Sequence, residues 1–488
     1  MIFMKPSFFA FLTVLILCAG AVAQSQSTVI PGKTGPLMDG TWSGTIVGIK
    51  LIFHFTTGPS GKTEGTMDSP QQGATGIPIK SVAVTMDSII CVLTTPLAGY
   101  TAARVNDSTL AGRWSQGGRS TPLDLHRLSP TEAAQYAPPH RPQTPAPPFP
   151  YHSDSVEYDN AEKTVHLGAT LTYPVKGGPF PAAILITGSG IQDRDETVIG
   201  HKSFAVIADY LTRRGYAVLR VDDRRAGLST GDVSKVVTTE DFAKDVQTSF
   251  GWLKAQKQID TGRIGLIGHS EGAMIAPMLA ARHKDIAFII SLAGPASGRE
   301  TMIYQTLEPL KQMHASGDYI AYSMALEKIQ LNNMLIATDS ASFMKGIDGE
   351  YRAYLSAVAD STRPNYILSP ERYEASLAPQ TAMLILDWWK FLILYRASDY
   401  YSKVKCPVLA LGGEKDIQVP NASDLPFIDS TLKVAGNKKV TTQLMPGLNH
   451  LFQHCKTCTV AEYGQLEETF STEALQIMGD WLDKNVKR

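Results

Sequence analysis

Between Ala182 and Leu411 the chain places five short, strongly apolar runs: Ala182–Ile186, Tyr216–Val221, Arg263–Gly268, Ile286–Leu292 and Pro407–Leu411. Runs this brief, with no regular polar alternation, fit strands covered on both faces. Helix-length stretches separate them, including Phe204–Arg214, Thr239–Gln256 and Ala273–His283. The pattern therefore predicts repeated strand–helix–strand units around a mostly parallel sheet. One interval breaks the rhythm, from Gly294 to Pro407. Its Met-, Leu-, Tyr- and Ala-rich stretches, with Trp388-Trp389-Lys390-Phe391, predict a packed helical insertion over roughly residues 297–400. Such an insertion would cap the C-terminal edge of the sheet.

The 488 residues suffice for two or three domains, and the segment before the sheet reads differently. Over residues 30–128, short β-branched and aromatic stretches recur between Gly, Pro, Asp and Ser turns, which predicts a small all-β domain, either an antiparallel sheet or a small barrel. Leu51, Phe53 and Phe55 would share one face, and Trp42 and Trp114 are expected in its core or at an interface. The segment shows no nucleophile paired with a base, so it is read as an accessory domain. Residues 129–150 hold eight prolines and are expected to form a stiff linker, leaving 151–488 as the main α/β domain.

Lys and Arg number 45 against 46 Asp and Glu, a formal charge of −1. That balance lacks the basic footprint of a nucleic-acid binder. The N-terminus has Lys5, an apolar core from Phe8 to Cys18, and Ala21-Val22-Ala23 before the polar Gln24. This order predicts a cleavable secretory signal over residues 1–23 and a secreted or periplasmic protein. A lipidated Cys18 fits less well, because bulky Leu17 precedes it. No later run is long and apolar enough for a stable membrane span. Cys91, Cys406, Cys455 and Cys458 are too few for a disulfide scaffold. Cys455 and Cys458 could bridge locally or stay free; with His450 and His454 they also resemble a crowded zinc site, but His450 has a better role.

Gly268-His269-Ser270-Glu271-Gly272 follows the strand-like Ile264-Gly265-Leu266-Ile267 and precedes an Ala- and Met-rich helical stretch. A strand-to-helix turn there would lift Ser270 Oγ above the sheet and aim helix amides at a reacting oxygen. His269 would support the turn. A serine hydroxyl needs a histidine to take its proton and a carboxylate to orient that histidine. Asp416 lies in the loop Gly412-Gly413-Glu414-Lys415-Asp416 after the last apolar run, and His450 follows Pro446-Gly447-Leu448-Asn449. Glu414 is the alternative acid and His454 the alternative base. Thr187-Gly188-Ser189-Gly190, directly after Ala183–Ile186, supplies a second amide. Ser189 and Glu271 N–H are thus the expected oxyanion donors. Asp193-Arg194-Asp195 and Asp222-Asp223-Arg224-Arg225 are expected to brace this edge through ion pairs.

Residues from about 155 to 486 resemble the α/β-hydrolases, specifically a secreted bacterial esterase group related to serine aminopeptidase-like hydrolases. Thr187–Gly190 with Asp193–Asp195, Gly268–Gly272, Gly412–Asp416 with Gln418-Val419-Pro420, and Asn449–Phe452 carry the resemblance in order. The β segment is similar to an accessory domain found before some of these esterases. Thr187 departs from the histidine often found before the oxyanion glycine in that group. The resemblance implies a Ser270–Asp416–His450 triad, no cofactor and no metal. The reading is an exported carboxylic ester hydrolase working through an acyl-Ser270 intermediate on a small-molecule ester. Two rivals remain: a serine peptidase acting on short peptides, with Glu300 or Asp318 holding a substrate amine, and a non-catalytic recognition protein.

Overall fold

The computed structural model describes residues 38–486, apart from 59–60, 71–73, 95–96, 117–118, 137–139 and 359–363. The expected signal segment, residues 1–23, lies outside the described residues, as does Cys18. The chain forms two compact units.

The first unit is a closed antiparallel barrel. Its strands are β1 (Gly40–Ile46), β2 (Ile49–Thr57), β3 (Thr63–Ser69), β4 (Ala74–Val84), β5 (Ser88–Thr94), β6 (Leu97–Asn106), β7 (Thr109–Gln116), β8 (Arg119–Pro122) and β9 (Leu125–Arg127). The strands run in the order β6-β5-β4-β3-β2-β1-β9-β7, and β7 pairs back onto β6, while β8 extends β7. Closure leaves no open edge along that ring. Trp42, Phe53, Phe55, Tyr100, Leu110 and Trp114 fill the interior, so the barrel is a packed core.

Residues 129–150 are not uniformly extended. Ser129 caps a single helical turn, α1 (Pro130–Ala133), through a capping box with Glu132. Pro130 stands at the first helical position, where a missing N–H costs nothing. Two boundaries also differ from those expected. The second unit begins at Arg141, because Gln143 accepts from Thr469 N at 2.6 Å and donates to Phe470 O at 2.6 Å. Val460–Glu467, with α13 (Val460–Tyr463), groups with the first unit.

The second unit has the expected α/β-hydrolase architecture. Its strands are β10 (Tyr151–Asp159), β11 (His166–Pro174), β12 (Phe180–Ile186), β15 (Ala217–Val221), β16 (Ile259–His269), β17 (Ile289–Leu292), β18 (Val408–Gly413) and β19 (Val440–Met445); β13 (Thr197–Val198) and β14 (His201–Lys202) form a separate two-stranded ribbon. The sheet order is β10-β11-β15-β12-β16-β17-β18-β19, with β10 and β11 antiparallel and the remainder parallel. Every residue of β12, β17 and β18 is buried, which explains their unbroken apolar sequence. On one face, α2 (Ser203–Arg213) and α14 (Thr472–Asn485) pack Phe204, Ile207, Leu211, Met478 and Leu482 against the strands. Each such fully buried side chain contributes about 1.5–3 kcal/mol. On the other face, α3 (Thr239–Lys254) and α4 (Glu271–Arg282) bring Phe242, Val246 and Ile275 against Ile184.

After β17 the chain leaves the sheet through α5 (Gly298–Gln312), α6 (Gly317–Ile336), α7 (Ser340–Ser356), α8 (Pro370–Leu377), α9 (Thr381–Leu384), α10 (Asp387–Leu394) and α11 (Ser398–Tyr401), and returns at β18. The entry and exit of this insertion are hydrogen-bonded together, Gly298 N to Tyr395 O at 3.0 Å and Ala397 N to Ala296 O at 2.9 Å. Gly298 lies against α10 so closely that a Cβ there would stand 1.6 Å from Leu392 O. After β18 comes α12 (Asn421–Val434). Among the described residues no helix is long and apolar enough to cross a membrane.

Candidate active site

β16 ends at His269, and α4 begins at Glu271. Ser270 joins them at φ +53° and ψ −114°, a conformation that L-residues adopt only when their surroundings enforce it. The surroundings here are tight. A Cβ on Gly268 would lie 2.1 Å from Gly272 O, and one on Gly272 would lie 2.1 Å from Ile186 O. Both glycines of the G-x-S-x-G pattern are therefore required by close backbone approach. Ser270 remains partly exposed at the carboxyl edge of the sheet.

Asp416 and His450 meet at the same edge. Asp416 Oδ2 lies 2.8 Å from His450 Nδ1, and both side chains are buried. A carboxylate only accepts, so Nδ1 carries the proton in this bond and Nε2 keeps its lone pair. Asp416 is itself held by four donors: Gln418 N at 2.7 Å and Val419 N at 3.0 Å reach Oδ1, while Asn421 Nδ2 at 2.9 Å joins His450 on Oδ2. The β18 loop thus fixes the acid with its own amides. The insertion adds to this: Tyr304 of α5 donates to Asp416 O at 2.8 Å, and Gln305 donates to Gln418 O at 3.0 Å.

His269 and Glu196 form a second layer beneath the serine. Glu196 Oε1 accepts from Gly188 N at 2.8 Å and pairs with His269 Nδ1 at 2.8 Å. The opposite ring nitrogen, His269 Nε2, donates to His450 O at 3.0 Å. One buried carboxylate therefore links the loop after β12, the residue before Ser270 and the His450 loop. Burial opposes a charge on His269, but the Glu196 carboxylate outweighs it and raises the imidazole pKa. The role of Glu196 was not visible in the sequence: its partners lie 8 and 73 residues away, and no spacing rule joins them.

The loop after β12 approaches the serine closely. A Cβ on Gly188 would lie 3.3 Å from Ser270 Cβ. The Gly188 amide is occupied by Glu196, which leaves Ser189 as the next amide of that loop. Thr187, the position that departs from the esterase pattern, donates to Asp223 at 2.9 Å. Burial raises the Asp223 carboxyl well above its usual range. Ion pairs do brace this edge, Arg194 with Asp222 at 2.5 Å, Arg220 with Asp195, and Arg224 with Asp245 at 2.7 Å. Asp223 is instead held by Thr187 and by Gln192 N.

Glu271 turns its buried side chain toward the insertion. Its Oε1 accepts from Thr239 Oγ1 at 2.5 Å and from Trp388 Nε1 of α10 at 2.9 Å. Burial raises this carboxyl pKa as well.

The alternative residues are placed elsewhere. Glu414 accepts from Gly447 N at 3.1 Å, and His454 pairs with Glu468 at 2.9 Å on the surface. Glu300 and Asp318 are exposed on the outer helices. Cys455 and Cys458 are joined in a disulfide, so their sulfurs are not zinc ligands. No group of three or more candidate metal ligands occurs among the described residues.

A doubly flanked sheet carrying a strained serine elbow and a buried acid–histidine pair at its carboxyl edge defines the α/β-hydrolase fold. The chain belongs to the X-Pro dipeptidyl-peptidase (S15) family, whose profile matches residues 162–425, more than half of its length. That match includes Ser270 and Asp416 and ends before His450. Esterase EstD of Thermotoga maritima is 31% identical over 183 residues, 37% of this chain. The chain spans 43% of that relative's length. Solved structures similar to it include an esterase of Pyrococcus furiosus, 17% identical with a TM-score of 0.42, covering 71% of this chain and 98% of the other. An α/β-hydrolase from Penicillium is 16% identical with a TM-score of 0.41, covering 69% and 100%.

Proposed function

We propose that the protein is an exported serine hydrolase that cleaves carboxylic esters through an acyl-Ser270 intermediate. The observation that carries this reading is the 2.8 Å bond between Asp416 Oδ2 and His450 Nδ1, which leaves Nε2 as the candidate base on a loop tied to the residue before Ser270 through His269 Nε2 and His450 O. Ser270 Oγ attacks the ester carbonyl carbon while its proton passes to His450 Nε2. The Ser189 and Glu271 amides hold the carbonyl oxygen as it becomes an oxyanion. Collapse of the tetrahedral intermediate expels the alcohol, which takes the proton from His450. Water, deprotonated by the same nitrogen, then releases the acid and restores Ser270. No metal or organic cofactor enters these steps.

The similarity to Thermotoga esterase EstD supports ester cleavage. The family match favours a second reading, a peptidase acting on short peptides, since the same groups can expel an amine. One experiment separates them. The purified protein is treated with a fluorophosphonate and the adduct mapped by mass spectrometry, and turnover is compared on short-chain p-nitrophenyl esters and on aminoacyl-proline p-nitroanilides. The expected result is a Ser270 adduct, absent in Ser270→Ala, with ester turnover dominant. Dominant anilide turnover would favour the peptidase, and a well-folded protein without an adduct would favour a non-catalytic recognition protein. Export rests on the Phe8–Cys18 and Ala21-Val22-Ala23 pattern. Sequencing of the mature N-terminus tests it, with Gln24 expected first.

A further inference from the structure

Glu271 occupies an unusual position. It is the first residue of α4, its backbone N–H is the proposed oxyanion donor, and its side chain is only 2% exposed. Amides in the first turn of a helix have no intrahelical acceptor, so helix hydrogen bonding alone does not hold the Glu271 amide. The preceding residue, Ser270, sits at φ +53°, a strained state that persists only where neighbouring groups over-determine it. Two donors converge on the Glu271 carboxyl from separate elements. Thr239, the first residue of α3, donates to Oε1 at 2.5 Å, and Trp388 of α10 donates to the same oxygen at 2.9 Å. Oε2 is buried without a hydrogen bond. The insertion therefore supplies one of the two donors that pin this carboxyl.

We propose that Trp388 is a positioning residue for the oxyanion hole, acting through Glu271 to set the first turn of α4 and the amide that meets the developing negative charge. The proposal rests on the serine-hydrolase reading above. It makes the insertion part of the catalytic framework rather than only the wall of a substrate pocket. The connection has little slack. The neck of the insertion is hydrogen-bonded shut by Gly298 with Tyr395 and Ala296 with Ala397, and Gly298 abuts the C-terminal turn of α10. Trp388 is thus anchored from the sheet side, and its indole N–H reaches Glu271 from a fixed base.

An amide displaced from the oxyanion costs transition-state stabilisation while leaving ground-state binding nearly unchanged. Trp388→Phe keeps the aromatic bulk and removes only the donor. It should lower kcat on a short p-nitrophenyl ester about tenfold, change KM less than twofold, and weaken a trifluoromethyl ketone inhibitor by the same factor as kcat/KM. Thr239→Val removes the other donor from the same oxygen and should act in the same direction. Glu271→Gln keeps one acceptor oxygen and should lose less turnover than Glu271→Ala. Glu271→Ala should match or exceed the Trp388→Phe loss, and adding Trp388→Phe to it should cost nothing more. Should Glu271→Ala fail to fold, the Trp388 and Thr239 variants carry the test. A Trp388→Phe protein with wild-type kcat, or one altered only in KM and chain-length preference, overturns the proposal. So do full, additive losses in the double variant. Failure of the underlying reading is distinguishable, because the wild-type protein would then give no fluorophosphonate adduct at Ser270.

Discussion

Asp416→Asn is the most searching perturbation of the proposed site, because the geometry offers the amide no comfortable orientation. In the native arrangement both carboxylate oxygens accept, Oδ1 from two backbone amides and Oδ2 from His450 and Asn421. If the Asn oxygen takes the Oδ1 place, its NH₂ faces the Asn421 amide and His450 Nδ1. The imidazole must then shift its proton to Nε2, the nitrogen that should accept from Ser270. If the amide flips, the oxygen keeps His450 but the NH₂ is driven against Gln418 N and Val419 N, leaving two inner donors unpaired at about 1–3 kcal/mol each. The first arrangement disturbs fewer bonds and gives the wrong tautomer. Replacing the acid of a buried acid–histidine pair by its amide typically lowers kcat about 10⁴-fold. At ~1.36 kcal/mol per tenfold that is about 5 kcal/mol of barrier. The assay is hydrolysis of p-nitrophenyl acetate by the folded variant, with circular dichroism and thermal melting beside wild type. Glu414→Gln is the control, since Glu414 touches Gly447 N and not His450. A folded Asp416→Asn protein retaining more than a tenth of wild-type turnover would refute the reasoning, and an inactive Glu414→Gln would transfer the acid role.

Other consequences reach beyond the triad. Glu196→Ala leaves His269 and the Gly188 amide without their shared acceptor; breaking a buried pair of this kind should cost about 3–5 kcal/mol, read as a lowered urea midpoint. An unchanged midpoint would remove Glu196 from the framework. Glu327 in α6 is 4% exposed, and burial raises its pKa from 4.5 to about 7. Between those values the folded chain holds a proton that the unfolded chain releases, so stability falls as pH rises through this window, by at most about 3.5 kcal/mol at ~1.4 kcal/mol per pH unit. Glu327→Gln should therefore raise the urea midpoint at pH 8 and leave it unchanged at pH 4.5; an equal rise at both would show that the carboxyl is not the cause. The Cys455–Cys458 bridge spans only three positions, and loop-closure entropy assigns it about 2 kcal/mol. Dithiothreitol should lower the melting temperature by several degrees and leave turnover at 25 °C intact, whereas parallel loss of turnover would make the bridge a support for His450.

What the sequence disclosed follows from the range of the interactions involved. The elbow was legible because its causes are local: two glycines, a preceding apolar strand and a following helix lie within a few residues of Ser270. The parallel sheet was legible because β12, β17 and β18 are buried along their whole length and must be apolar throughout. Barrel closure was not, since pairing of β7 back onto β6 depends on how far the sheet curls and no single strand encodes that. The helical turn at Pro130 escaped notice because proline density argues against helix interiors, whereas Pro130 occupies the one position where proline is favoured. Ser189 and Glu271 are proposed as amide donors from their places after a strand and after Ser270. The Glu271 carboxyl could not be tied to Trp388, which lies 117 residues away and only becomes a neighbour once the insertion folds back over the sheet edge.

That long connection also explains how an insertion can sit on the α/β core without loosening it. The candidate catalytic edge depends on three loops and one helix terminus, all of which emerge from strands whose positions the sheet already fixes. The insertion grips two of these four elements. Tyr304 and Gln305 of α5 grip the backbone of Asp416 and Gln418, while Trp388 of α10 grips the Glu271 side chain. The other two, the His450 loop and the loop after β12, are held from below by His269 and Glu196. Supports from above and below constrain different atoms, so the serine elbow is bounded on both sides. A side chain inside that frame can be exchanged for altered acyl preference, whereas a change to the donors that form the frame should reduce turnover of every substrate alike. Comparing a chain-length series for Trp388→Phe with one for Trp389→Phe, whose ring is buried beside it, reads that difference directly.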